Sequence, residues 1–436
     1  MKLVRALVAA LAVTLVMSAS AVAATIPGRY IVVLKDSVAD PGAVAREHAR
    51  SFGAQPDQTY RSALKGYAAT IPSVRLDDVR SDPNVAYLVA DSTMGQPDPV
   101  VPPPVSQTTT RDMRRIAADL SSARSGDGGG AVSVSVAVLD TGIDIDHPDL
   151  NVAGGTNCIT SQNGYDDGDG HGSHVAGTIG ARDNAIGGVG VGPGTPLWAV
   201  KVLSDQGVGR TSTVLCGIDW VTATRKDANQ SNDIVVANMS LGDKGSDDGA
   251  CGMLNRDPVH QAICGSVAAG VVYTVSAGND TSDFATKVPA AYDEVLTVTA
   301  MADSDGEPGS LGAPTLCNSY TDDTPAAFSN FATLVADQTH TVSAPGECVS
   351  STYSEGRYAV LSGTSMASPH VAGTVALCVW SGACRGLTAA EIKQKILADA
   401  AAYNRSRKGL AYGFQGDPLR PIAGKYYGYL IRAGLY

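Results

Sequence analysis

Residues 132–142 read VSVSVAVLDTG. Valines dominate the run, and an acid, a threonine and a glycine end it, so it reads as a buried strand that stops at a tight turn. Four further runs repeat the design: PLWAVKVL (196–203), IVVANMSL (234–241), GVVYTVSAGN (270–279) and VLTVTA (295–300). Helix-like stretches separate them, after His171, around TSTVLCGIDWVTATRK (211–226), around VHQAICGSVAAG (259–270) and after Ser365. Strands alternating with helices predict an α/β fold, a doubly wound and mostly parallel sheet flanked by helices. In such sheets ligands bind beyond the carboxyl ends of the strands, where Asp140, Ser240 and Asn279 fall.

Outward from this core, the chain divides into four parts. Residues 1–24 carry Lys2 and Arg5, an apolar run to about Met17 and a small-residue end, the pattern of a secretory signal peptide. No later stretch could cross a bilayer, so the expectation is an extracellular protein with no membrane contact after signal removal. Residues 25–94 alternate strand, helix, two strands, helix and strand, a small ferredoxin-like α+β unit. Residues 95–112 are rich in Pro and Thr and read as an exposed linker. The α/β domain occupies 113–436, with a last helix opened by the capping-box pair Thr388 and Glu391. The segments 302–327 and 404–436 are loop-rich.

The formal net charge of −11 argues against a nucleic-acid partner. All eight cysteines fall after residue 150, and an even number behind an export signal favours disulfides. Short separations favour Cys251 with Cys264, Cys317 with Cys348 and Cys378 with Cys384, leaving Cys158 with Cys216, although spacing does not fix connectivity. A monomer is expected.

Each chemical signal has a plain structural reading. Asp140 could simply cap its turn. The D-T-G tripeptide also occurs in aspartic proteases, but those share a proton between two such acids, and no second D-T-G or D-S-G is present. His171 and His174 in DGDGHGSHVAGTIG (167–180) could bind a metal, yet there is no H-E-x-x-H and no third ligand at recognisable spacing. A histidine among glycines is reachable by substrate and suits general-base work. Ser365 could be only a helix cap, but a helix N-terminus also stabilises negative charge beside its oxygen.

VAVLDTGIDIDHPDL (136–150), HGSHVAGT (171–178), NMSLG (238–242), SAGN (276–279) and GTSMASPHVAG (363–373) together resemble, in order, the signature blocks of the subtilisin (subtilase) family. The resemblance implies a serine endopeptidase that works through an acyl-enzyme. Ser365 would be nucleophile, His171 general base and then acid, Asp140 the support of the imidazolium, and Asn279 the oxyanion donor. His174 and His370 match structural positions. Ser240, Leu241 and Gly242 match a segment that pairs with extended substrate, and with Ser276, Ala277 and Gly278 they would wall the main pocket. An N-D-T glycosylation acceptor is the competing reading of Asn279.

The same resemblance implies a structural calcium site. Its ligands would be the Asp149 carboxylate, the Asn184 amide oxygen and the carbonyls of Arg182, Ile186 and Gly188, with one further ligand from the mature N-terminus that the sequence does not locate. No catalytic cofactor is implied. Residues 25–94, closing with DPNVAYLVAD (82–91), resemble the family's pro-domain, an intramolecular chaperone and inhibitor removed autocatalytically between 92 and 113. The alternative is a catalytically silent relative that binds peptides while locked to its pro-domain.

Overall fold

The computed structural model describes residues 25–94, 106–159, 162, 164–313, 321–406, 408 and 411–436. The expected signal peptide (1–24), linker residues 95–105 and Cys317 lie outside the described residues.

The N-terminal unit runs β1 (Thr25–Leu34), α1 (Pro41–Phe52), β2 (Gln55–Tyr60), β3 (Gly66–Thr70), α2 (Leu76–Arg80) and β4 (Val85–Met94). Asp40 caps α1 by accepting from Gly42 N, and Gly53 ends it in the left-handed region at φ 70°. The antiparallel sheet has the order β2-β3-β1-β4, and the short strand Gly209–Arg210 of the large domain pairs antiparallel with β4 at its edge. One face packs Val32, Leu34, Tyr67, Ala69 and Ile71 under the helices. The other face, with Ile31, Val33, Tyr60 and Ala68, joins a core shared with the large domain. Period-two alternation thus serves two cores at once.

The large domain begins with α3 (Arg111–Arg115), β5 (Ser135–Asp140), β6 (Val152–Asn157), α4 (His171–Gly180), β7 (Leu197–Lys201), β8 (Gly209–Arg210) and α5 (Thr211–Thr224). There follow β9 (Ile234–Met239), β10 (Asp243–Lys244), α6 (Pro258–Ala268), β11 (Val272–Ser276), β12 (Lys287–Val288), β13 (Leu296–Ala302) and β14 (Thr324–Pro325). The chain closes with α7 (Val335–Gln338), β15 (Thr341–Pro345), β16 (Val349–Tyr353), β17 (Arg357–Leu361), α8 (Thr364–Trp380), α9 (Ala389–Arg405) and β18 (Tyr429–Leu430).

The central sheet has the order β18-β15-β13-β11-β9-β5-β7-β6, with β14 antiparallel on β13. All other pairs in it are parallel. Strands buried on both faces explain why β5, β9, β11 and β13 read as apolar runs rather than alternations. The helix α8 is buried along nearly its whole length, so its apolar residues surround it without a stripe.

Disulfides join Cys251 to Cys264 and Cys378 to Cys384, as the short spacing favoured, and Cys158 to Cys216, the pair left over, and Cys348 is also disulfide-bonded. Among the elements with no counterpart in the sequence reading are β6, β15, the β16–β17 hairpin, and β18, which puts part of the expected loop region 404–436 on the sheet edge.

Candidate active site

Asp140 is the last residue of β5 and fully buried. Its Oδ1 accepts from its neighbour Thr141 N at 2.7 Å and lies 2.7 Å from His171 Nδ1. His171 opens α4 after Gly170, whose φ is 114°. A Cβ at Gly170 would lie 2.2 Å from the Tyr353 ring, so only glycine fits there. Gly172 allows a similar approach, since a Cβ on it would meet Gly142 O at 2.1 Å.

Asp167, in the loop before α4, ties the turn after β5 to that helix. Its Oδ1 accepts from Thr141 Oγ1 (2.8 Å), Asp169 N (3.1 Å) and Gly170 N (2.9 Å), and its Oδ2 from Ser173 N (2.8 Å) and Ser173 Oγ (2.6 Å). One buried carboxylate therefore fixes both the residue after Asp140 and the first turn of the helix that starts with His171. Sequence reading missed Asp167, because an acid in D-G-D-G looks like any turn residue.

Ser365 is the second residue of α8, and it alone stays partly exposed in the buried run 363–372. Its Oγ donates to Ser240 O at 3.4 Å, and its carbonyl accepts from Ser240 Oγ at 2.7 Å. Behind it a polar core joins three elements: Asn238 Oδ1 in β9 accepts from Thr274 Oγ1 in β11 and Ser368 Oγ in α8, and Asn238 Nδ2 donates to Ser240 Oγ.

Asn279, half-buried after β11, accepts at Oδ1 from Thr364 N (2.9 Å) and Thr364 Oγ1 (2.8 Å). With the oxygen used twice, the amide nitrogen is turned toward Gly363, 3.3 Å from where a Cβ on that glycine would stand. The arrangement is a neutral N–H donor of fixed direction beside the first turn of α8. Asn330 buttresses the turn: its Oδ1 accepts from Asp280 N and Ser282 N, and its Nδ2 donates to Ala277 O.

Ser240, Leu241 and Gly242 continue from β9, and Ser276, Ala277 and Gly278 leave β11. β9 and β11 are neighbours in the sheet, so the two segments emerge side by side. Leu241 and Ala277 are buried and Gly242 is exposed.

His174 is buried, and its Nε2 donates to Val349 O (3.1 Å) and Ala359 O (3.2 Å). Burial lowers its pKa to about 3, so it stays neutral and structural. His370 bonds Asp112 through Nε2 at 2.9 Å and Met366 O through Nδ1.

The residues expected to bind calcium gather elsewhere, between the end of α4 and the β16–β17 hairpin. Asp149 Oδ1 accepts from Asn184 Nδ2 (2.7 Å) and Oδ2 from Tyr358 (3.2 Å). Burial raises the Asp149 pKa to about 6. In the loop after α4 the carbonyls alternate in use: Ala185 O and Gly187 O accept from Gln107 N and Thr108 N. Among the described residues those of Arg182, Ile186 and Gly188 accept no hydrogen bond. Gln107 Oε1 also accepts from Asn184 N, which brings this N-terminal residue to the loop. Sequence reading could not locate it, because it precedes the loop by more than 70 residues.

The model of the subtilase family matches residues 132–414, and that of peptidase inhibitor I9 matches 29–95. Subtilisin E of Bacillus subtilis (strain 168) is 33% identical over 353 residues, covering 80% of this chain and 79% of that protein. Subtilisin of Bacillus pumilus is 39% identical over 249 residues, covering 56% and 76%. The crystal structure of a cold adapted subtilisin-like serine proteinase is similar at 29% identity and a TM-score of 0.49, covering 70% of this chain and 90% of that one.

Proposed function

This chain belongs to the subtilase family of serine peptidases and carries a peptidase-inhibitor I9 unit at its N-terminal side, and from that premise we propose that it is a secreted endopeptidase made as an autoprocessed pre-pro-enzyme. Its parts are a signal peptide (1–24), an inhibitory and chaperoning pro-domain (25–94), a linker holding the processing site (95–112) and a catalytic domain (113–436). The lysine, arginine and apolar run of residues 1–24 support export. Among the described residues no helix is long and apolar enough to cross a membrane.

In the proposed mechanism Ser365 Oγ attacks the scissile carbonyl carbon while its proton passes to His171 Nε2. Asp140 keeps the other ring nitrogen protonated and steadies the imidazolium. The carbonyl oxygen, now an oxyanion, receives hydrogen bonds from Asn279 Nδ2 and the Ser365 N–H at the start of α8. Collapse expels the amine, which takes the proton from His171, and leaves an acyl-Ser365 ester. Water then repeats the sequence with His171 as base and frees the acid. The observation that carries this reading is the 2.7 Å contact of buried Asp140 with His171 Nδ1, with Asn279 and Ser365 meeting at one helix N-terminus.

Extended polypeptide substrate would pair with the backbone at 240–242, and its side chain would enter between that segment and 276–278. Small residues there favour a large apolar side chain. Calcium would be held by Asp149, Asn184, Gln107 and the carbonyls of Arg182, Ile186 and Gly188, an all-oxygen set that suits a hard cation. Bound there, it would stiffen the loop and take no part in bond cleavage.

A fluorophosphonate probe tests the central assignment. The processed protein should be labelled and should cleave casein, and Ser365→Ala should abolish both. A processed protein that resists labelling would instead be a silent peptide binder.

A further inference from the structure

Away from the cleft, one buried histidine faces two carboxylates without bonding either. His340 stands just before β15 and is fully buried. Its Nδ1 lies 3.1 Å from Thr297 Oγ1. That hydroxyl has one proton, and it goes to Ala290 O at 2.6 Å. The threonine oxygen must therefore accept from the ring, so Nδ1 carries the hydrogen and the neutral ring keeps its lone pair on Nε2. Phe284, edge-on at 5.9 Å, and the backbone bond from Thr297 N to His340 O help hold the ring in this pose.

Nε2 makes no hydrogen bond, and its oxygen neighbours are Asp293 Oδ1 at 3.6 Å and Asp337 Oδ1 at 4.0 Å. Those separations are too long for hydrogen bonds. Ligands about 2.0–2.1 Å from a tetrahedral ion stand roughly 3.3 Å apart, so the 3.6 Å pair is near that spacing, while the 4.0 Å pair and the two carboxylates must draw further together to seat one. One atom from each of the three residues lies within 4.8 Å of the others. Among the described residues neither carboxylate accepts a hydrogen bond, and Asp337 Oδ2 is buried without a partner. A lone pair aimed at two unbonded carboxylates is unfavourable unless a cation stands between them.

We propose that Asp293, Asp337 and His340 form a zinc-class divalent-metal site, separate from the loop at Asp149, that ties the turn before β13 to α7 and the start of β15. An imidazole with two carboxylates favours zinc over calcium. The Asp293 side chain is 51% exposed, which gives the ion an entry and leaves room for water as a fourth ligand. Lys393 Nζ, the nearby opposing charge, donates to the Asp293 carbonyl oxygen and leaves that carboxylate open. The Thr297 contact is the outer hydrogen bond that orients a metal-binding histidine.

The test uses the full chain carrying Ser365→Ala, stripped of metal and titrated with zinc in excess calcium. Calorimetry should find a zinc equivalent that raises the melting temperature and that His340→Gln removes. Asp293→Asn, at a half-exposed position, should keep the metal-free melting temperature and weaken that equivalent at least about tenfold. Cobalt in place of zinc should give a visible ligand-field spectrum that both variants lose. Zinc binding that neither substitution alters, or no zinc-dependent rise in melting temperature, would overturn the proposal and leave a proton, as imidazolium, between the carboxylates.

Discussion

Asn279 can donate in only one direction because Thr364 occupies its oxygen twice. Asn279→Ala should therefore lower kcat by about 10²–10³ with little change in KM, the loss for which a subtilisin asparagine is itself the reference case. Steady-state kinetics on a peptide anilide reads that split. Asp167 works at one remove, by fixing Thr141 and the first turn of α4. Asp167→Asn turns an acceptor of five hydrogen bonds into a part-donor facing donors, and should cost about 1–3 kcal/mol in a denaturant melt and lower kcat as His171 loses its seat. The sequence could nominate Asp140, His171, Ser365 and Asn279 as candidates because each sits in a short motif whose neighbours are constrained: glycines where a Cβ would collide, small residues where helix meets strand. Asp167 and Asn330 were not legible, since their partners lie on other turns and no spacing rule announces them.

Among the elements, α4 and the β16–β17 hairpin are joined through His174, whose Nε2–H serves both strands while Nδ1 is buried without a partner. Protonation would put a hydrogen on Nδ1 with nothing to receive it. The folded pKa of about 3 lies below the ordinary 6.5, so as the pH falls the unfolded chain takes up the proton first. This contribution to stability is whole above pH 6.5 and is lost toward pH 3, at a limiting slope of about 1.4 kcal/mol per pH unit. His174→Gln should flatten the fall of melting temperature with acid relative to the parent chain. The loop after α4 gives a second prediction. Chelation should lower the melting temperature while activity at low temperature persists, and calcium at 100 times its Kd should restore about 2.7 kcal/mol. The strands β5, β9, β11 and β13 were legible as apolar runs, whereas β6, VAGGTN, was not. Its glycines carry no strand propensity, and Gly155 is there because a Cβ would strike Ala199 O at 2.2 Å.

In the molecule as a whole, the N-terminal unit sits on α5 and α6 through both apolar and charged contacts. Asp219 of α5 accepts from the backbone N–H groups of Arg61, Ser62 and Ala63. Asp91, fully buried in β4, accepts from Ser212 N and Oγ at the start of α5 and from Arg29. A Cβ on Gly265 would meet Ala63 O at 2.4 Å, so α6 also depends on close approach. In the Ser365→Ala chain, nicked within 95–112 by an added protease, Asp219→Ala should speed release of the 25–94 segment at least about tenfold, as followed by surface binding. Unchanged release would mean that the apolar face alone holds the unit. By itself the sequence determined the layered α/β class and nominated the two-unit division and the motif-borne site residues, because periodicity and close-packed glycines are local properties written in consecutive residues. Only the tertiary structure decided the supports, namely Asp167 beneath His171, Asn330 beneath Asn279, Gln107 at the Asp149 loop and the facing of His340 to Asp293 and Asp337. These contacts join residues distant in the chain, and a side chain's partner across such a gap is set by how the sheet and helices pack.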